Sequence, residues 1–309
     1  TEYFAGEREE FTVPVDLRLT GFRGEVVQFL PYIGYGRGPG HKGAPPGRGM
    51  PLVVPGRRPC RRDAERLGWS RSDRDRERTA CPMKIGILTS GGDCPGLNAV
   101  IRGAVLKGET RFEDEFIGYR DGWRGVIDGD WMSLPRRRVR GIARLGGTML
   151  GTSRSNPFHD GADGADIVLR HLEEEDVDAI IAIGGDGTLY TANRLFEAGV
   201  PVVGVPKTVD NDLDATDYTF GFHTAVEIAT QSLDRLRMTG DSHHRCMVAE
   251  VMGRSVGWIA LHSGMAADAH VICLPEFPLS IDEICDYVQA AFDRGRAPLV
   301  VVAEGFMPR

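Results

Sequence analysis

The 309-residue chain contains few cysteines, and none of them forms a C-x-x-C pair. The six cysteines, at positions 60, 81, 94, 246, 273 and 285, therefore give neither a zinc-site signature nor a disulfide framework. The sequence also lacks an apolar run close to the ~20 residues that a membrane-spanning helix requires. From these absences we expect a protein of the reducing cytoplasm that is not inserted in a membrane.

Positive charge is in short supply after residue 83. The chain has a net charge of −7, yet its first 83 residues carry more Lys and Arg than Asp and Glu, so the remainder is strongly acidic. An acidic main body argues against nucleic acid as a partner, because Lys and Arg must neutralise the phosphates there. Residues 33–58 are rich in Gly, Pro and Arg without periodicity, which is typical of disorder. We predict that residues 1–83 are a disordered or non-native N-terminal stretch.

The common nucleotide-binding motifs are missing as well. Residues 91–96 have the spacing of a Walker loop, but Leu97 and Asn98 stand where Lys and Ser/Thr belong. No G-x-G-x-x-G opens a helix with an acidic partner at dinucleotide spacing, and the protein-kinase motifs are absent. The turn GGDGT at residues 184–188 occurs in several kinds of kinase, so that turn alone leaves the substrate open.

What is present is a set of three apolar strands that each run into a polar turn. They are KIGILTSGGDCPGLN at 84–98, AIIAIGGDGTL at 179–189 and VPVVGVPKTVDND at 200–212. Glycine lets a backbone approach a phosphate, and a following helix N-terminus offers N–H donors and the positive end of a dipole. Ligands of open α/β sheets bind at strand ends of this kind. The cluster of lysine, hydroxyl and carboxylates at 207–212 suits phosphoryl transfer, which needs a base, cations and metal ligands.

Each of these residues also has an ordinary structural explanation. An aspartate in a turn, such as Asp210, is commonly an Asx-turn or helix-capping residue. Arg154 and Arg245 would ordinarily be solvated surface charges, and Met252 would ordinarily fill a core. Glu304 is less ordinary because it ends an apolar run, where a carboxylate caps a helix or lines a site. The functional interpretation therefore depends on all of them occurring together.

The order of elements predicts a doubly wound α/β fold with parallel sheets. Residues 84–221 would form a first α/β domain, with strands at 84–89, 179–183 and 201–205 and helices at 96–107, 162–175 and 188–198. Residues 222–309 would form part of a second α/β domain. Its elements would be helices at 222–238, 255–267 and 280–294 and strands at 245–251, 270–274 and 298–303.

Together these segments resemble the 6-phosphofructokinase family, from about Met83 to the last residue. The resemblance is carried by LTSGGDCPGLNAVIRG (88–103), GGTMLGTSR (146–154), IGGDGT (183–188), PKTVDND (206–212), SHHR (242–245) and VAEVMGRSVGWIALHSG (248–264). It implies a phosphofructokinase-like fold of the bacterial type, and phosphoryl transfer to fructose 6-phosphate with Mg²⁺. Residues 84–221 would then be the nucleotide-binding domain and residues 222–309 part of the sugar-binding domain, with the active site in the cleft between them. Family members assemble as dimers or tetramers, so a homodimer or homotetramer is expected.

The resemblance also implies a role for each matching residue of the transfer site. Asp210 would be the base for the sugar's 1-hydroxyl, and Asp212 would lie beside the reacting phosphoryl group. Thr208 and Arg154 would hold that group. Asp186 would serve Mg²⁺. The donor phosphates would meet Gly91, Arg154, Asp186, Gly187 and Thr188.

A second group would bind the sugar. It comprises Thr208, Asp210, Arg245, Met252, Gly253, Arg254 and Glu304, with Arg245 commonly supplied by a neighbouring subunit. The family continues past Glu304 with further sugar-phosphate ligands, so we expect this sequence to be a fragment whose second domain is incomplete. A binding protein without turnover is the alternative from another class.

Donor choice is the one point on which the motifs disagree. Pyrophosphate-using members tend to carry Asp and Lys at the positions of Gly187 and Lys207, and ATP users tend to carry Gly at both. Gly187 leaves space for an α-phosphate, which a carboxylate would occupy and repel. Lys207 adds a cation without blocking a nucleotide. We therefore predict ATP as the donor, with pyrophosphate as the alternative.

Overall fold

A computed structural model of the protein describes residues 82–158, 164–213 and 216–309. The N-terminal prediction therefore falls almost entirely outside the described residues, as do the cysteines at 60 and 81. The described chain forms two sheets, of six and three strands. None of the helices in these segments is long and apolar enough to cross a bilayer.

The six-stranded sheet has the order β3-β2-β1-β4-β5-β6. Its strands are β1 (Lys84–Ser90), β2 (Glu115–Tyr119), β3 (Trp131–Ser133), β4 (Ala179–Gly184), β5 (Val202–Thr208) and β6 (Phe220–Gly221). The helices between them are α1 (Leu97–Phe112), α2 (Trp123–Asp128), α3 (Gly164–Glu174) and α4 (Asp186–Glu197), with a 3₁₀ turn at Ile142–Arg144. All pairings are parallel except the one between β2 and β3.

The three-stranded sheet has the order β7-β9-β8 and is parallel throughout. Its strands are β7 (Met247–Val251), β8 (Val271–Cys273) and β9 (Leu299–Ala303), and its helices are α5 (Phe222–His243), α6 (Trp258–Ala266) and α7 (Ile281–Asp293). The start of α7 is fixed by a capping box in which Ser280 and Glu283 satisfy each other's backbone N–H groups.

The central strands form because their apolar runs are buried on both faces. Neighbouring residues of a strand point to opposite faces, and Ile87 and Leu88 accordingly lie in different core clusters, both fully buried. One cluster includes Ile180 and Leu195, and the other includes Leu97 and Ile183. Helices cover both faces, so the predicted doubly wound α/β fold is confirmed.

The sequence analysis missed the edge of the first sheet. It placed no element between its first and second helices, where the structure has β2, α2, β3 and the 3₁₀ turn. These pieces are short, and β3 has only three residues, too few for a period-2 pattern to stand out. The antiparallel β3 also departs from the wholly parallel sheet that we predicted. The other predicted elements are present, and no end differs from its predicted position by more than five residues.

Candidate active site

The turn after β1, residues 91–96, is held against the segment that carries Arg154. Gly91 has φ 86°, a left-handed conformation that favours glycine. Its N–H donates to the carbonyl of Ser153 at 3.0 Å, and Thr152 Oγ1 donates to the Gly91 carbonyl at 2.5 Å. These two bonds place the exposed Arg154 beside the first glycine turn, as the motifs require.

The turn after β4, called here the β4 turn (residues 184–188), leads directly into α4. Asp186 and Gly187 are exposed in the first turn of this helix, whereas Thr188 is buried. A β-carbon added at Gly187 would meet nothing within 4 Å, but one added at Gly184 would lie 2.3 Å from Thr188 Oγ1. The first helical turn thus offers its backbone and Asp186 to a ligand, while Thr188 packs underneath.

The end of β5 brings Thr208 and Asp210 together. Thr208 Oγ1 lies 3.3 Å from Asp210 Oδ2 and accepts from the Asp210 N–H at 3.2 Å. Because Ser90 lies opposite Gly184 and Gly184 lies opposite Pro206 in the sheet, the carboxyl ends of β1, β4 and β5 meet at one edge. The three sequence segments therefore converge on one place.

The environment of Asp210 favours its protonated form. Burial is the main cause that raises the pKa of this carboxyl above its usual range, and the nearby charge of Asp212 adds to it. The Thr208 hydrogen bond works in the opposite direction, Glu304 raises the pKa slightly, and Arg254 lowers it. A carboxylate with a raised pKa binds a proton more strongly, which is the property that a general base needs.

Lys207 joins β5 to the first glycine turn. Its side chain is buried, and its ammonium group donates to the carbonyl of Gly92. Cys94 of the same turn is buried nearby, and burial raises the pKa of its thiol to about 11 against the opposing effect of the Lys207 charge. Cys94 is therefore a neutral packing residue, and Lys207 fixes the position of the turn.

The turn after β7, called here the β7 turn (residues 252–257), faces Asp210 from the second sheet. Glu304, which follows β9, accepts hydrogen bonds from the N–H groups of Gly253 and Arg254 at 3.2 and 2.9 Å. Arg254 has φ 54° and forms an ion pair with Asp212 at 3.5 Å. The carboxylates of the β5 end and the guanidinium of the β7 turn thus meet across the cleft between the sheets.

Three residues that hold these turns were missed in the sequence analysis. Asn211 and Thr219 bind one another beneath Asp210, and Glu276 accepts from the Gly257 N–H at 2.8 Å, where α6 begins. Asn211 stands inside the PKTVDND segment, and its position between two aspartates was the only sign in the sequence of a structural role. Glu276 follows an apolar run just as Glu304 does, and the same argument would have identified it.

Arg245 is not brought to the other predicted sugar ligands within this chain. It is exposed just before β7 begins, whereas Gly253 and Arg254 follow its end. At about 3.3 Å per strand residue, the two ends of this five-residue strand are roughly 15 Å apart. Met252 lies at the cleft end, with 65% of its surface exposed, and is therefore not core filler.

The site does not contain a complete metal cage. In the segments that the structure describes, no three His, Cys, Asp or Glu side chains converge to bind an ion. Mg²⁺ commonly takes only one or two carboxylates and completes its shell with water and substrate phosphates. The exposed Asp186, at a strand end shared with the phosphate-binding turns, fits that mode of binding.

The fold is that of a doubly wound α/β protein with three polar turns along one sheet edge, where proteins of this class bind ligands. A sequence profile of the family described as phosphofructokinase matches residues 84–309, which begin with β1. The chain belongs to the phosphofructokinase family. The resemblance inferred from the motifs is thereby confirmed, and the residues before β1 lie outside the family match.

Two relatives from Streptomyces coelicolor have names that differ in the phosphoryl donor. A pyrophosphate–fructose 6-phosphate 1-phosphotransferase is 56% identical over 228 residues, which cover 74% of this chain and 66% of that protein. An ATP-dependent 6-phosphofructokinase 3 is 54% identical over 228 residues, covering 74% of this chain and 67% of that protein. The chain thus spans about two thirds of the length of these relatives, and similarity alone does not choose the donor.

Solved structures with the same fold include fungal and bacterial phosphofructokinases. The Pichia pastoris phosphofructokinase in the T-state superposes with a TM-score of 0.66 at 31% identity, covering 74% of this chain and 27% of that one. A pyrophosphate-dependent phosphofructokinase from Marinobacter aquaeolei superposes with a TM-score of 0.64 at 25% identity, covering 73% of this chain and 61% of that one. The architecture is therefore that of the family.

Proposed function

We propose that the protein transfers a phosphoryl group from ATP to the 1-hydroxyl of fructose 6-phosphate, giving fructose 1,6-bisphosphate and ADP. The observation that carries this proposal is Asp210, a half-buried carboxyl with a raised pKa at the junction of the three turns. Family membership supports the same reaction class. Asp210 takes the proton of the sugar hydroxyl. The hydroxyl oxygen bonds to the γ-phosphorus, and the bond between the γ-phosphorus and the oxygen that bridges to the β-phosphate breaks.

The surrounding groups stabilise charge rather than form covalent intermediates. Arg154, beside the first glycine turn at residues 91–96, and Arg254, in the β7 turn, supply the cations that a phosphoryl group requires. The N-terminus of α4 supplies N–H donors. Asp186 would hold Mg²⁺, which neutralises phosphate charge when bound. Asp212 lies on the sugar side of the site, where it pairs with Arg254. Thr208 both contacts Asp210 and offers a hydroxyl to the transferred group.

ATP is the donor that the β4 turn favours. A side chain at position 187 would point into open space next to the exposed Asp186, and glycine leaves that space to the rest of a nucleotide. Lys207 does not extend into this space, because its ammonium group is bound to the Gly92 carbonyl. The reason for expecting a pyrophosphate enzyme from Lys207 is correspondingly weaker, although a relative of that name is 56% identical.

Arg245 is proposed to serve the site of a neighbouring copy. It is exposed and lies at the far end of β7 from its own cleft. A homodimer or homotetramer in which this end of β7 faces a second cleft would complete the cationic shell around the sugar phosphate.

The test is to supply the protein with fructose 6-phosphate, Mg²⁺ and either ATP or pyrophosphate, and to measure fructose 1,6-bisphosphate. We expect product with ATP and little with pyrophosphate. A preference for pyrophosphate would assign donor choice to Lys207 instead of Gly187. Calorimetric binding of both substrates without product would identify a binding protein and contradict the proposed catalytic function.

A further inference from the structure

Asn211 is a buried polar residue between two carboxylates. Only 3% of it is exposed, and its φ of 54° lies in the left-handed region, which asparagine adopts more readily than most residues. Asp210 precedes it and Asp212 follows it. A residue with this conformation turns the chain sharply, so its side chain points inward while both neighbouring carboxylates remain at the cleft.

The Asn211 side chain binds the segment that enters β6. Its Oδ1 accepts from the Thr219 N–H at 2.9 Å, and its Nδ2 donates to the Asp217 carbonyl at 3.3 Å. Thr219 is also 3% exposed, and its Oγ1 donates back to the Thr208 carbonyl at 2.7 Å. These bonds, called here the Asn211–Thr219 clasp, tie Thr208 and Asn211, on either side of Asp210, to the segment that enters β6.

The clasp is needed because the site brings like charges together. Asp212 is close enough to raise the pKa of Asp210, and Glu304 adds to that effect, while the Thr208 hydrogen bond and the Arg254 charge oppose them. Three carboxylates repel one another, and the flexible side chains of a free loop would separate towards solvent. Buried hydrogen bonds of the Asn211 amide restrain the backbone from which two of these carboxylates project, because leaving buried polar groups unpaired is unfavourable.

We propose that Asn211, through the clasp with Thr219, is a positioning residue that holds Asp210 against Thr208 for proton transfer. The inference rests on the proposed function, since it assigns how that base is kept in place. Asn211 itself touches no reacting atom. Its loss should therefore lower kcat while the KM for each substrate changes little, because both substrates are bound mainly by other residues.

Two substitutions remove different bonds of the clasp with little steric change. Asn211→Gly keeps the left-handed backbone accessible and removes both amide bonds. Thr219→Val keeps the N–H that Asn211 accepts but removes, at nearly constant shape, the hydroxyl that donates to the Thr208 carbonyl, and Thr219→Ser retains that hydroxyl. We expect kcat to fall roughly 10- to 100-fold in the first two, the scale of a misplacement near 1 Å, and to recover in Thr219→Ser.

The acid limb of the pH–rate profile separates positioning from simple destabilisation. When Asp210 relaxes away from Asp212 towards solvent, its pKa falls, so the limb moves to lower pH in Asn211→Gly. Ser263→Ala is the control, since it removes a fully buried hydroxyl that donates to the Ile259 carbonyl within α6. It should lower the melting temperature and leave the limb and kcat unchanged.

The Asp210 carboxyl can also be titrated directly, by ¹³C NMR of protein labelled at aspartate. The pH at the midpoint of this titration should fall in Asn211→Gly and stay unchanged in Ser263→Ala. The measurement does not require turnover. An unshifted midpoint in Asn211→Gly would overturn the clasp proposal even if activity were lower. A parent protein that makes no fructose 1,6-bisphosphate would overturn the proposed function instead, and the titration would still decide the role of Asn211.

Discussion

The β4 turn and the β7 turn both place glycine at the carboxyl end of a parallel strand, yet they use their backbones in different ways. The β4 turn leaves Gly187 open and presents the first N–H groups of α4 to a ligand. In the β7 turn, the N–H groups of Gly253 and Arg254 are already bound by Glu304. The first turn thus leaves main-chain donors open to a ligand, whereas the second uses its backbone bonds to aim the Arg254 side chain.

This difference predicts which kind of substitution damages each turn. Added charge should damage the β4 turn, because its ligand lies against open backbone. Loss of a carboxylate should damage the β7 turn, because its own structure depends on one. The following predictions test that contrast.

Gly187→Asp should have the largest effect, a loss of roughly 10³-fold in kcat/KM for ATP. Two like charges about 4 Å apart repel by about 4 kcal/mol at the effective dielectric of a protein surface. Gly187→Ala is the control, because an added β-carbon meets nothing within 4 Å and carries no charge. Steady-state kinetics with ATP checks both. If Gly187→Ala lost as much as Gly187→Asp, packing and not access would explain the glycine.

Asp210→Ser should lower kcat at least ~10²-fold, the scale of a general base, and change sugar affinity much less. Asp210→Asn keeps the size of the side chain and should lose as much, because an amide does not accept the proton. Turnover assays and sugar-binding calorimetry separate the two effects. A kcat within a few-fold of the parent in either variant would remove Asp210 from the role of base.

Glu304→Ala should raise the KM for fructose 6-phosphate about tenfold or more, since hydrogen bonds to a charged group contribute about 1.5–3 kcal/mol. The β7 turn would lose the acceptor of two N–H groups, and Arg254 would no longer be aimed. Glu304→Gln retains a carbonyl oxygen that can accept both bonds and should recover most of the affinity. Equal KM values for the two variants would mean that the carboxylate charge, and not the turn, matters.

The smallest effect is expected in the pH profile of Asp212→Asn. Activity is lost as pH falls through the pKa of Asp210, because the protonated form cannot act as a base. Asp212 raises that pKa, so its neutralisation should lower it and move the acid limb to lower pH, by under about one unit. A limb that stayed in place would show that Asp212 does not influence Asp210 in the working enzyme.

The sequence allowed the central strands, the helices of nine or more residues and the three turns of the candidate site to be predicted. Long apolar runs such as 179–183 are unambiguous, and the turn residues follow them directly. The short β3 and its antiparallel pairing could not be predicted, because three residues carry no period. Nor could the clasp of Asn211 and Thr219, since a hydrogen bond between residues eight apart depends on how the chain turns between them.

In the candidate site, the sequence predicted which residues take part more easily than how their side chains are oriented. The sequence indicated that Glu304 belongs to the cleft, but not that one of its oxygens binds two backbone N–H groups. Lys207 was expected beside the phosphates, whereas its ammonium group is bound to the Gly92 carbonyl. Both outcomes depend on tertiary distances across the cleft or between strands, which motif spacing does not contain.

The packing of Gly184 against Thr188 has a consequence for how the GGDGT motif can evolve. A β-carbon at 184 would lie 2.3 Å from Oγ1 and 2.4 Å from the β-carbon of Thr188, so even alanine at 188 leaves no room for it. A side chain larger than hydrogen therefore fits at 184 only where position 188 is also glycine. Gly187 is free of this constraint, so a substitution there changes access to the turn without disturbing its packing.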